Sequence, residues 1–285
     1  MASMRDIKRR KGSIQSTQQI TKAMKLVSTV KLQRAKTNAE RSRAYFRCMY
    51  ETVQSVLART SGLKHPYLVG GTGSKKAVVV ITSNRGLAGG YNSNITRLVM
   101  NSGIPREEMC VYAVGSKGKE ILLRGGYDIA EDWSGIGEEP VYAEAMKCAH
   151  ILLEQFKAGE IGEIYLAYTK FKNTVSQEPV LLKLLPVEVA ADEGTESGPR
   201  AMMGFEPGDE EALELLIPKY ITSLIYGALV EAVASENGAR MQAMDSATSN
   251  AEEMISQLTL KYNRARQGSI TQELTEIIAG AEAIS

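Results

Sequence analysis

The sequence has 285 residues, 24% charged and 44% hydrophobic, an ordinary globular balance that excludes wholesale disorder. Thirty-four basic and 33 acidic side chains give a formal charge of +1, a total that by itself excludes a strongly basic nucleic-acid binder and a highly acidic chain. Cys48, Cys110 and Cys148 lie far apart without a CxxC spacing, and His65 and His150 are too few for a histidine-rich metal site, so a reducing compartment without zinc or disulfides is expected.

The total conceals segregation. Residues 1–64 hold 15 basic side chains against Asp6, Glu40 and Glu51, or +12. Residues 65–204 hold 14 basic and 17 acidic, or −3, and residues 205–285 hold five basic and 13 acidic, or −8. No apolar run approaches the roughly 18 residues of a membrane span; the longest lies near Ala77–Ile81. The basic start, MASMRDIKRRKGSIQ, leads into helical patterning rather than an apolar stretch, so neither a secretory signal nor a mitochondrial presequence is expected.

In chain order, the first element is a long helix from about Ser3 to about Ser61. No Gly or Pro interrupts Ser13 to Ser61. Leu32, Ala35, Ala39, Ser42, Phe46, Met49, Val53 and Val56 alternate by three and four, which predicts a heptad seam. Upstream, Ile20, Ala23, Val27 and Val30 suggest a stripe in a shifted register.

The middle alternates strands and helices. Strands are predicted at Ala77–Thr82, Met109–Val114, Glu163–Thr169 and Val180–Val187, with a short extended piece at Tyr127–Ile129. Helices are predicted at Tyr91–Met100, Ser116–Arg124 and Val141–Lys157. This order implies a mostly parallel sheet covered by helices, a Rossmann-like α/β domain. Residues Ala190–Met203 read as a loop. Two glycine turns invite a nucleotide reading, but Ser83–Gly90 supplies neither GxxxxGK[ST] nor GxGxxG. The turn Gly115-Ser116-Lys117-Gly118-Lys119 is phosphate-friendly and is read as a solvated helix cap. No GxSxG or other nucleophile motif emerges.

The last element is a second long helix, with Glu206, Asp209, Glu210 and Glu211 favouring its N-terminus. Its seam runs through Leu213, Leu216, Tyr220, Gly227, Val230, Ala234, Met241, Met244, Thr248, Ala251, Ile255, Leu258, Tyr262 and Ala265. It shifts near Gly268 and resumes at Ile270, Leu274, Ile277 and Ala281. Opposite charges at the two ends of the chain predict an antiparallel two-helix coiled coil in which charge selects the partner more than it stabilises. An ordinary helical bundle with uneven charge is the competing arrangement. The expected organisation is 1–64, an N-terminal coiled-coil helix; 65–204, the central α/β domain; and 205–285, a C-terminal coiled-coil helix.

Four segments carry a family resemblance: ITKAMKLVS (Ile20–Ser28), ITSNRGLAGGYNSN (Ile81–Asn94), SENGARMQAMDSAT (Ser235–Thr248) and YNRARQGSITQELTEIIAGA (Tyr262–Ala281). Together they resemble the gamma subunit of the bacterial F-type rotary ATP synthase over the whole chain. The resemblance implies a non-catalytic shaft that binds no nucleotide and needs no cofactor. Its implied partners are the alpha and beta subunits of the catalytic head, the epsilon subunit and the membrane c ring, with no nucleic acid. It implies a peripheral place on the cytoplasmic face of the cell membrane, reached only through the complex. Motif by motif, Met24 and Lys25 match positions facing a beta-subunit lever. Arg240, Gln267, Thr271 and Glu273 match polar contacts between the terminal helices and beta. Phe205 and Glu206 resemble a foot segment near the c ring. Lys25 departs from the acid that many relatives carry there. The rival readings are a stand-alone α/β nucleotide-binding enzyme with helical arms and a nucleic-acid-binding coiled coil using the +12 segment.

Overall fold

The computed structural model describes residues 4–57, 65–136, 139–187 and 208–282. The predicted loop Ala190–Met203 and the foot residues Phe205 and Glu206 lie outside the described residues.

The elements, in order, are α1 (Met4–Leu57), α2 (Pro66–Val69), β1 (Lys75–Ile81), α3 (Tyr91–Met100), β2 (Met109–Val114), α4 (Ser116–Arg124), β3 (Asp128–Asp132), α5 (Tyr142–Lys157), β4 (Ile161–Phe171), β5 (Gln177–Leu185) and α6 (Asp209–Glu282). The predicted α/β class and the two long terminal helices are therefore present. The chain forms two compact units. One comprises residues 1–29 with 240–285, and the other residues 30–239.

In the larger unit, five strands run in the order β3-β2-β1-β4-β5. β1 pairs in parallel with both β2 and β4, and β5 closes the sheet antiparallel to β4. A strand paired on both sides and covered on both faces needs apolar side chains pointing both ways, hence the unbroken run Ala77-Val78-Val79-Val80-Ile81. Alternation assigns the faces. Val78, Val80, Val111 and Ala113 pack with Ile95 and Val99 of α3 and Leu122 of α4. Ala77, Val79, Ile81, Tyr112 and Leu166 pack with Ala149 and Leu152 of α5 and with Ile217, Ile221, Ile225 and Ala228 of α6. Val53 and Val56 of α1 join that second cluster.

Within this unit α6 is thus covered by the sheet and by α1. That double cover explains a window in α6 with a mean hydropathy of 1.4 over 18 residues, apolar enough by length and composition to cross a membrane. No continuous apolar run announces it in the sequence, because occasional polar residues interrupt it. Over half of the window, 56%, is buried inside the protein, as in a core helix. The two helices run antiparallel here, with Phe46 against Tyr226 and Gly227 and Tyr50 against Tyr220.

The short helix α2 has no signal beyond Pro66 at its first turn. His65 caps it, with Nδ1 accepting the Tyr67 N–H at 3.3 Å, which gives that buried histidine a structural role. His150 is exposed and lies 3.1 Å from Glu154 one turn on.

Cys110 and Cys148 are buried, and Cys48 is exposed. Burial disfavours the thiolate, raising the Cys110 pKa and pushing Cys148 up to about 12. At pH 8 both therefore remain protonated and unreactive. Titration of the native chain with a chromogenic disulfide should modify Cys48 alone, and all three thiols after unfolding in guanidinium.

Candidate functional site

In an open parallel sheet, ligands bind beyond the carboxyl ends of the strands where the strand order reverses. Here that point lies between β1 and β4. It is filled by α6: Ser235 Oγ donates to the Thr169 carbonyl at 2.8 Å, and the Tyr91 hydroxyl reaches the Ala232 carbonyl at 3.3 Å. What remains is a cavity of about 40 Å³, lined by Ile81, Thr82, Tyr91, Val114, Leu229 and Ala232 among others. That holds a water or two, whereas a ligand pocket needs roughly 300 Å³ or more.

The donors at the start of α4 are occupied as well. Asn84 Oδ1 accepts the Ser116 N–H at 2.9 Å, the Ser83 carbonyl accepts that of Lys117 at 3.1 Å, and Thr82 Oγ1 accepts that of Gly118 at 3.0 Å. A phosphate would find these N–H groups already bonded. The Gly115 turn is accordingly packed rather than solvated: Gly115 and Gly118 are buried, and a Cβ at Gly115 would meet the Thr82 carbonyl oxygen at 2.3 Å. Gly115 also holds φ +95°, which only glycine adopts without strain. Among the described residues, no group of three or more His, Cys, Asp or Glu could hold a metal ion.

The other candidate surface is in the smaller unit. Along α1 one covered row runs through Met4, Ile7, Lys11, Ile14, Gln18, Thr21, Lys25 and Ser28, with Met24 half-buried beside it, and along α6 the covered positions include Met244, Thr248, Ala251, Ile255, Leu258, Tyr262 and Ala265. The positions of the α1 row alternate by three and four. They hold the same register as Leu32, Ala35, Phe46, Met49, Val53 and Val56 further along the helix. The predicted shifted stripe is therefore wrong. Ile20, Val27 and Val30 are 60, 56 and 57% exposed, and Ala23 is exposed too. The seam continues past them through polar residues, which a search for apolar spacing passes over.

Three consecutive polar seam residues meet partners on the other helix. Gln18 Nε2 donates to Glu252 Oε1 at 3.0 Å, the Thr21 and Thr248 hydroxyls lie 2.8 Å apart, and Lys25 Nζ reaches Asp245 Oδ1 at 2.5 Å. From Gln18 to Lys25 α1 advances one heptad, while the partner recedes one heptad from Glu252 to Asp245. The pairing is antiparallel, as predicted. Opposite charge contributes here at one close contact, and most of the basic residues near the start of α1 point outward.

The predicted site residues separate. Met24 and Lys25 are half-buried, and Lys25 is engaged by Asp245. Arg240 is buried at 8% exposure. Gln267, Thr271 and Glu273 are exposed, and Thr271 Oγ1 donates to the Gln267 carbonyl at 2.9 Å. The last covered position of the predicted seam on α6 is Ala265. Beyond it, the predicted resumption of the seam does not occur: Ile270, Leu274, Ile277 and Ile278 are exposed.

Residues 3–284 match the ATP synthase family. The ATP synthase gamma chain of Lachnoclostridium phytofermentans is 65% identical over 291 residues, covering the whole of both chains, and that of Alkaliphilus metalliredigens is 44% identical over 99% of this chain and 98% of its own. The chain belongs to the bacterial ATP synthase gamma-chain family. A chain of the mitochondrial ATP synthase of Euglena gracilis, solved with F1 and c ring in rotational state 3, matches in fold with a TM-score of 0.73 and 20% identity over 99% of this chain and 94% of its own.

Within that family frame, the lysine at 25 has its counter-charge on the same chain, at Asp245. Because α6 fills the sheet crevice, titration of the chain with Mg-ATP should release no binding heat; micromolar affinity would mean that the crevice opens. Gly115→Ala should destabilise the larger unit by about 2 kcal/mol or more, from strained φ and the clash with Thr82, read as a lowered urea midpoint.

Proposed function

We propose that the chain is the central rotor shaft of an F-type ATP synthase, carrying rotation of the membrane c ring to the catalytic beta subunits. The observation that carries the reading is the inverted pattern of the smaller unit. Over residues 18–28 the seam of α1 is polar while its outer face carries Ile20, Leu26 and Val27, each more than half exposed. The end of α6 carries a further exposed row, Ile270, Leu274 and Ile277. Apolar side chains outside a polar seam serve a partner rather than the fold.

A shaft inside a ring of alternating alpha and beta subunits has to present a different surface to each beta at each angle. An apolar strip on one face does this. As the shaft turns, the beta subunit facing the strip gains contacts that favour one of its conformations, and the others lose them. The shaft itself makes and breaks no covalent bond. Spread, individually modest contacts suit the bearing, since a deep hot spot would hold one orientation.

In this reading Met24 and Lys25 lie on the turn facing the beta lever, with Lys25 also held by Asp245. Gln267, Thr271 and Glu273 offer exposed polar groups beside the apolar row, and Arg240 belongs to the same set of polar shaft residues although it lies buried. Phe205 and Glu206 belong to a foot near the c ring and the epsilon subunit. The complex lies on the cytoplasmic face of the bacterial membrane, and this chain meets the membrane only through it.

Removing residues 270–285 should leave the larger unit folded, because the α6 residues buried in it, from Leu213 to Asn237, all lie well before the cut. In the complex reconstituted with alpha, beta, epsilon and the membrane sector, ion pumping per ATP hydrolysed should fall by about twofold or more as the exposed row is lost. An unchanged ratio would remove the weight placed on Gln267, Thr271, Glu273 and the row beside them.

A further inference from the structure

We propose that Gln18, Thr21 and Lys25 on α1, with Glu252, Thr248 and Asp245 on α6, are positioning residues that set the axial register of the two helices. They thereby set the height at which the outer strip of α1 stands against the end of α6. The proposal rests on the rotor reading for its functional consequence, but not for the register itself.

The seam around these residues specifies little. Ser28, Ala251, Met241 and Met244 are small or flexible, and such side chains accept one another in more than one alignment. Nor is the Lys25–Asp245 pair suited to stabilise much. Its side chains are 39 and 57% exposed, and exposed pairs contribute only ~0–1 kcal/mol. Polar groups at seam positions are best understood as selecting one alignment among several.

The six residues select in this way because no shifted alignment satisfies them together. Sliding α6 by one heptad one way brings Lys25 opposite Glu252 and keeps an ion pair, but sets the Thr21 hydroxyl against Ile255. The opposite slide sets Lys25 against Gly238 and Thr21 against Met241. Thr21 is 7% exposed, so a lost partner there is not replaced freely by water. In the observed register its hydroxyl has both the Thr248 hydroxyl and the Gln18 carbonyl, at 2.8 and 3.0 Å. Thr248 reaches the Met244 carbonyl at 2.7 Å; with two hydrogens for three contacts, one hydroxyl donates across the seam while the other donates to its own helix. The outer face of the same turns is apolar. A partner pushing on that strip therefore loads turns held by directional contacts, which resist sliding where Ala and Met would yield.

The test uses the full chain in the assembled complex, with Cys48→Ser as background and cysteines at Ile14 and Ile255. These lie one heptad from Thr21 and Thr248 and report register by disulfide formation. The parent should cross-link readily. Lys25→Asp, which faces Asp245 across the seam, should slow cross-linking by about fivefold, and Thr21→Val combined with Lys25→Ala by at least as much. The exchange Lys25→Asp with Asp245→Lys keeps both charges and should restore the parental rate, so a folding defect in a single variant does not decide the matter. Equal cross-linking in all variants overturns the proposal, as does an exchange that fails to restore it. Ion pumping per ATP is measured on the same complexes and should follow the cross-linking rate. Slowed cross-linking with unchanged pumping leaves the register claim standing and counts against the rotor reading.

Discussion

Helix α6 lies in the crevice where the strand order reverses, and most of the molecule's character depends on that placement. A sheet of this order offers a ligand site beyond β1 and β4. Filling it with Ala232 and Ser235 leaves room for a water or two. The same helix face that closes the crevice supplies Ile217, Ile221, Ile225 and Ala228 to the sheet core, while Val53 and Val56 of α1 cover it from elsewhere. A helix buried on more than one side must be apolar most of the way round. This accounts for the hydropathy of α6 in this stretch without any membrane.

Where α6 leaves the sheet, the constraint relaxes and the pattern inverts. In the smaller unit one helix has only one other to cover it, so the outward faces are free to be written for partners. The seam then carries Gln18, Thr21 and Lys25, which apolar packing alone would not choose, and the outside carries Ile20, Leu26 and Val27. Stability is traded for alignment inside and for contact outside. Both are demands of a part that transmits force, where position along and around the axis is the signal.

Much of the α/β domain was legible because its signals are local. The helices Tyr91–Met100 and Ser116–Arg124 and the strand Met109–Val114 have the predicted bounds, since glycine turns and β-branched runs mark their ends. The seam from Leu32 to Val56 was legible for the same reason. The stretch before it was misread because Ile20, Ala23, Val27 and Val30 form a convincing stripe on hydropathy alone, and an apolar stripe does not say whether its cover lies in the same chain. Asp245 and Glu252 were missed for the converse reason. A charged seam residue is recognisable only once its counterpart on the other helix is known.

By itself the sequence determined the alternation of strands and helices, the two long terminal helices, their antiparallel pairing and, through its motifs, the family. These follow from turn chemistry, periodicity and the short connections of one α/β domain, all of which act over a few residues. Only the tertiary structure decided that the glycine turn at Gly115 is packed against Thr82, that the crevice is closed by α6, and which face of α1 is inward between Gln18 and Ser28. Those outcomes depend on what lies opposite a residue rather than beside it. Thr21 and Thr248 stand 227 positions apart, and no local pattern carries that distance.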